Sequence, residues 1–325
     1  AAALALALAG GARGHFHGAG AFTTPAGDYA PRGDESASAL HGACALSAGV
    51  GAVKAELGAA EIDWDAVRGA YEEEIRPFAA ANYSGSEYYD ANAAHFGDPA
   101  WLDTFATAAI AGEFSEDVGA RAEMTEKTVM DAVAVNAIMY FLGRGAEQGD
   151  DGAWDVAAAL YTGCGESNAE ENGGGPDNAP YGRANKRGLN FGTADEAGTA
   201  AANIAALEAF NAGPGPEAAA AVAAALQTVY GQAAIRYAFL LDGVCASGEC
   251  EDYSEYQGEG WAFWRIIEAL VDAEAAAPVT EMYTVTGASP AMLEPSSYCA
   301  TLAAVEGLVG PAALGVLEGT EGQSC

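Results

Sequence analysis

The stretch richest in reactive side chains is CEDYSEYQGEGWAFWRIIEALV, residues 250–271. Read as a helix, it stacks Asp252, Glu255 and Glu259 at i, i+3 and i+7, with Tyr256 beside them. One turn on, the same stripe becomes Ala262, Phe263 and Ile266, so the carboxylates run from solvent toward apolar surface. Arg265 is the one cation between 245 and 285. Exposed like charges at i, i+4 cost only about 0.2–0.5 kcal/mol. Buried without a partner they cost several kcal/mol. A partner is therefore expected: a proton, an arginine from elsewhere in the chain, or a metal ion. The competing reading is a solvated acidic face.

A second acidic set comprises Glu123, Glu126, Asp131 and Asp155. Glu123 and Glu126 form an E-x-x-E pair on one helical face. Glu123, Lys127 and Asp131 follow at i, i+4 and i+8, which is also the spacing of an ordinary salt-bridge ladder. Oxygen donors from Glu, Asp and Tyr suit hard cations such as Ca²⁺, Mn²⁺ or iron, not Zn²⁺ or Cu⁺. The expected site brings Glu255 and Glu259, with Tyr256 near, onto Glu123 or Asp131 around a hard cation. Arg183, Lys186 and Arg187 cluster in GRANKRGLNFGT, either as internal salt-bridge partners or as an anion pocket. The four histidines, His15, His17, His41 and His95, are poor stock for acid–base catalysis. His95 reads as a turn or helix-end residue. There is no nucleophile elbow, zinc-protease helix, phosphate-binding loop, dinucleotide fingerprint or EF-hand loop, and enzymatic activity is not expected.

The 325 residues that must position these groups carry 13 Lys+Arg against 46 Asp+Glu, a net charge of −33. With 51% hydrophobic residues the chain is no disordered acidic tail. So few cations make no footprint for nucleic acid. No run of about 20 apolar residues is seen, so no membrane span is expected. Most of the acidity reads as solubility.

The opening AAALALALAGGARG looks like the end of a secretory apolar segment, with Ala7-Leu8-Ala9 fitting the small-x-small cleavage rule. Residues 1–12 read as a signal-peptide remnant and 13–59 as a flexible Gly/Ala-rich lead-in with one short helix at 43–58. Residues 60–325 read as a single helical domain. Six cysteines, none in a C-x-x-C pair, point to disulfides and an oxidising compartment. Cys245 and Cys250 are close enough to staple one loop, while Cys44, Cys164, Cys299 and Cys325 can pair three ways.

The expected fold is all-α: a helical-bundle core, disulfide-stapled, with a long irregular loop over 163–198. VTEMYTV is the only strand candidate. Thr128-Val129 recurs as Thr228-Val229, Ala134-Val135 as Ala234-Ile235, and Gly143 as Gly243, all at an offset of 100. This predicts two repeated hairpins, about 121–163 and 217–271, stacked as a four-helix core.

In order and spacing, WDVAAALYTG, the Gly-rich loop, ANKRGLNFGT and EGWAFWR resemble the algal iron-assimilating (FEA-type) proteins, also called low-iron-inducible periplasmic proteins. IDWDAVRGAYEE and HFGDPAWLDTFATAAIAG fit that family's N-terminal part. The resemblance covers roughly residues 60–310. It implies a secreted or periplasmic helical protein that helps cells acquire iron without being a reductase, oxidase or permease. The cargo is then iron, with carbonate open as a co-ligand, and the delivery partner a plasma-membrane iron transporter or receptor. Val156 departs from the family pattern, which has an acid after the Trp-Asp pair. Glu259 keeps that acid in the second copy, which favours the second hairpin as the site. The alternative is an acidic extracellular surface protein with weak, non-specific cation binding.

Overall fold

The computed structural model describes residues 22–32, 37–164, 176–245, 250, 253–285, 290–294, 296–320 and 325. Residues 1–12, His15, His17 and Asp252 lie outside them.

Two helix pairs form the centre. α5 (118–148) starts on the Asp117 side chain, which accepts from the Ala120 amide. It passes through a π-turn at Thr128–Ala132 and stops at Gly149, whose φ is 62°. Asp150 follows at once as the cap of α6 (Asp151–Thr162), accepting from the Ala153 amide. A left-handed glycine followed directly by an acidic cap ends one helix and begins the next within two residues. The second pair is α9 (Pro216–Val244) and α10 (Tyr253–Ile267). α9 has proline in its first turn, where no donor is lost.

The pairs meet chiefly where α10 packs along the first half of α5, with α9 against the second half. Gly258 permits that approach: a Cβ there would stand 2.9 Å from the Ala120 carbonyl oxygen. Each pair is a long helix followed by a shorter one, and the offset of 100 remains a correspondence of sequence. α9 is long and apolar enough to cross a membrane by length and composition. It lies between α10, α8 (Ala201–Ala212) and α12 (Ser297–Val309), so core burial accounts for its apolarity.

Three expectations are corrected. The lead-in is largely structured. β1 (Phe22–Thr24) and β2 (Gly27–Tyr29) pair as an antiparallel hairpin with Phe22 and Tyr29 buried. α1 (Ala37–Leu57) packs on α6 and on α2 (64–79), burying Leu40, Val50 and Val53. Gly and Ala made this helix look like linker because little of its buried face is large. The irregular segment contains α7 (Pro180–Asn190), again with proline in its first turn. VTEMYTV is not a strand. It ends α11 (Ala273–Tyr283), which the Asp272 side chain caps by accepting from the Glu274 and Ala275 amides. Val279, Met282 and Tyr283 then fall on one buried helical face at i, i+3 and i+4. The remaining longer helices are α3 (Glu87–Phe96) and α4 (Trp101–Ala111).

The disulfides are Cys44–Cys164, Cys245–Cys250 and Cys299–Cys325. No free cysteine remains among the described residues, which is the outcome of an oxidising compartment. The bridges close 120, 5 and 26 residues respectively. Loop-closure entropy ranks their contributions in that length order, in steps of about 1.4 kcal/mol. Urea unfolding of the three Cys→Ala pair variants is expected to show Cys44/Cys164 as the costliest loss and Cys245/Cys250 as the least.

Candidate functional site

α5 supplies Glu123, Glu126 and Lys127 within two turns. Gly258 lets α10 sit close enough to add Glu259. The three carboxylates converge on the Lys127 ammonium, at 2.7 Å from Glu123, 2.9 Å from Glu126 and 3.4 Å from Glu259. Lys127 is buried. Its three donors match three acceptors in number. The Glu123 contact is Coulombic and lacks hydrogen-bond alignment. Tyr237 of α9 places its phenol near Glu259, and burial together with that carboxylate's negative charge raises the phenol's pKa.

The electrostatics follow from burial. Desolvation pushes the Glu123 carboxyl up to about 7, Lys127 opposing and Glu259 adding to the rise. At Glu126 desolvation is outweighed by Lys127, and its pKa falls. Lys127 stays charged: burial works against it, but Glu126, Glu123 and Glu259 together raise its pKa.

Asp131 forms a separate centre. Asp131 lies within the π-turn, which adds a residue to the helical repeat and takes it out of the i, i+4 register with Lys127 that an ordinary salt-bridge ladder would have. Asp131 is fully buried and accepts from Arg183 of α7 through Nε at 3.3 Å and Nη2 at 3.0 Å. The Tyr230 hydroxyl donates to it at 2.9 Å.

Of the expected ligands, then, Glu259, Glu123 and Glu126 meet. The cation that faces them in this structure is Lys127. Glu255 is exposed, with its carboxylate against Gly119 of α5, and stands outside the group. Tyr256 is half-buried and packs on Tyr237 at 6.3 Å. Asp155 anchors the N-terminal hairpin, accepting from the Tyr29 hydroxyl at 2.5 Å and the Arg32 amide at 3.0 Å. Among the described residues, no three or more His, Cys, Asp or Glu side chains are grouped so as to hold a metal ion.

Sequence reasoning missed the central role of Lys127, and it missed Lys54, Tyr237 and Arg236. The signal was the scarcity of lysine. The chain has three, Lys54, Lys127 and Lys186, and all three interact electrostatically in this region along with Arg183. Arg265, counted as the cation nearest the acidic helix, serves another acid. It and His95 both reach Glu268, itself 1% exposed, at 3.1 Å and 2.6 Å. His95 occupies the last turn of α3. A cavity of about 620 Å³ opens elsewhere, lined by Ser84, Tyr88, Tyr140, Arg144 and Glu147, and does not include the charged centre.

No family model, curated protein or solved structure matches this chain.

Proposed function

We propose that this chain is a secreted protein that binds iron and assists its uptake, delivering it to a plasma-membrane transporter or receptor. Glu123, Glu126 and Glu259, which surround Lys127 and are not grouped around a metal position, become the ligand carboxylates when the incoming cation displaces that lysine and they close on it. One observation carries this reading: three carboxylates from two helices face a single positive charge in a buried position. All are hard oxygen donors, and the Tyr237 phenol stands behind Glu259, which suits a hard cation. The resemblance set out above and the three disulfides support the same reading.

Calorimetric titration with iron is expected to show a defined stoichiometry near neutral pH. Glu259→Gln weakens binding tenfold or more, about 1.4 kcal/mol, while Glu255→Gln leaves it unchanged. Affinity falls as pH drops through about 7, where Glu123 takes up a proton. Wild-type affinity in Glu259→Gln, or displacement of iron by millimolar Ca²⁺, would favour an acidic surface protein with weak, non-specific cation binding.

A further inference from the structure

Three cations are buried among the described residues, and two of them are paired. Lys127 has its carboxylates and Arg183 has Asp131. The third, Arg187, is 5% exposed, and its Nε and Nη1 are shut from water with no hydrogen-bond partner. Burial lowers its pKa to about 10; Tyr237 opposes the fall, while Arg183 and Arg236 deepen it. An unpaired buried charge costs several kcal/mol. The chain has 46 Asp and Glu from which a partner could have been drawn. The acid within its field, Glu259, faces Lys127 at 3.4 Å.

The surroundings are positive instead. The Arg187 and Arg236 guanidiniums share the Tyr237 ring, at 5.8 and 5.5 Å from its centroid. Arg236 is half-buried, and Lys186, next in the chain to Arg187, is exposed. Neither Arg236 nor Lys186 is in an ion pair among the described residues. In a chain of net charge −33 this is a local excess of cations around a guanidinium with free donors.

We propose that Arg187 and Arg236 form a binding site for a small oxyanion taken from solvent, of phosphate or carboxylate type. Guanidinium donors match such oxygens in number and direction. Lys186 extends the positive potential to the surface, where the anion arrives. The site does not rest on the iron reading, since none of its residues is among the proposed iron ligands.

The test is calorimetry on the full chain in chloride-poor buffer, with inorganic phosphate and sodium bicarbonate titrated separately. One equivalent of at least one anion is expected to bind. Arg187→Gln weakens it tenfold or more, Arg187→Lys falls between, and the exposed Arg68→Gln binds as wild type. Tighter phosphate binding assigns a tetrahedral ligand, and tighter bicarbonate binding a planar one. Failure of both anions to bind the wild type, or unchanged affinity in Arg187→Gln, overturns the proposal. If Arg187→Gln does not fold, Arg236→Gln is expected to bind at least threefold more weakly. The wild-type melting temperature is then expected to rise with the anion but not with chloride at equal ionic strength. Absence of any anion-specific rise overturns the proposal.

Discussion

Lys127→Met is expected to destabilise the fold by about 3–5 kcal/mol near pH 8, the usual cost of removing one partner from a buried ionic group. Methionine fills much the same space, so packing changes little. What changes is that Glu123, Glu126 and Glu259 face one another without a cation. The loss shrinks as pH falls, because protons replace the missing charge. Glu123 sets the direction already in the wild type. Its folded pKa of about 7 lies above the ordinary glutamate value of 4.5, so the folded chain binds that proton more tightly. Its contribution favours folding at low pH and is lost as pH rises through about 7. Urea unfolding at pH 5 and pH 8 reads the difference. Added iron is expected to restore stability to Lys127→Met at pH 8, with the metal standing where the ammonium stood. A variant as stable as wild type at pH 8 would show that the three carboxylates are solvated.

Arg183→Met is the second large loss, again about 3–5 kcal/mol. It strands Asp131, which is fully buried and, among the described residues, keeps only the Tyr230 hydroxyl. Here no metal rescue is expected, because one carboxylate alone is left. Asp131→Asn strands the guanidinium instead, and the double variant is expected to cost less than the sum of the two. A double-mutant cycle in urea measures that coupling, and additivity would mean the pair contributes nothing as a pair.

The helical class and the Cys245–Cys250 staple were legible because each rests on local pattern, apolar residues at helical spacing in the one case and two cysteines five positions apart in the other. α1 was understated for the opposite reason. Its buried contacts with α2 and α6 are set by tertiary packing, and its Gly and Ala residues carry almost no periodic signal. At the site, the stripe ending in Glu259 was legible, since its passage from solvent to apolar surface is written in one helix. That Glu255 stays outside was not, because it depends on how α10 crosses α5 at Gly119 and Gly258. The separation of Asp131 from Lys127 turns on the π-turn at Thr128–Ala132, which no spacing rule anticipates. Lys127 as the central cation could have been suspected by asking where so few cations would be needed most.

Drawing all three lysines, with Arg183, Arg187 and Arg236, into one region leaves the remaining surface poor in positive charge. Seen from about one Debye length away the molecule is simply an anion, whatever its interior binds. Arrival rates then separate by sign. A metal cation is drawn in by the outer field and meets positive charge only at the last step. A phosphate or bicarbonate ion climbs against that field and is attracted only near Lys186. Raising the ionic strength therefore slows cation association and speeds anion association on the same protein.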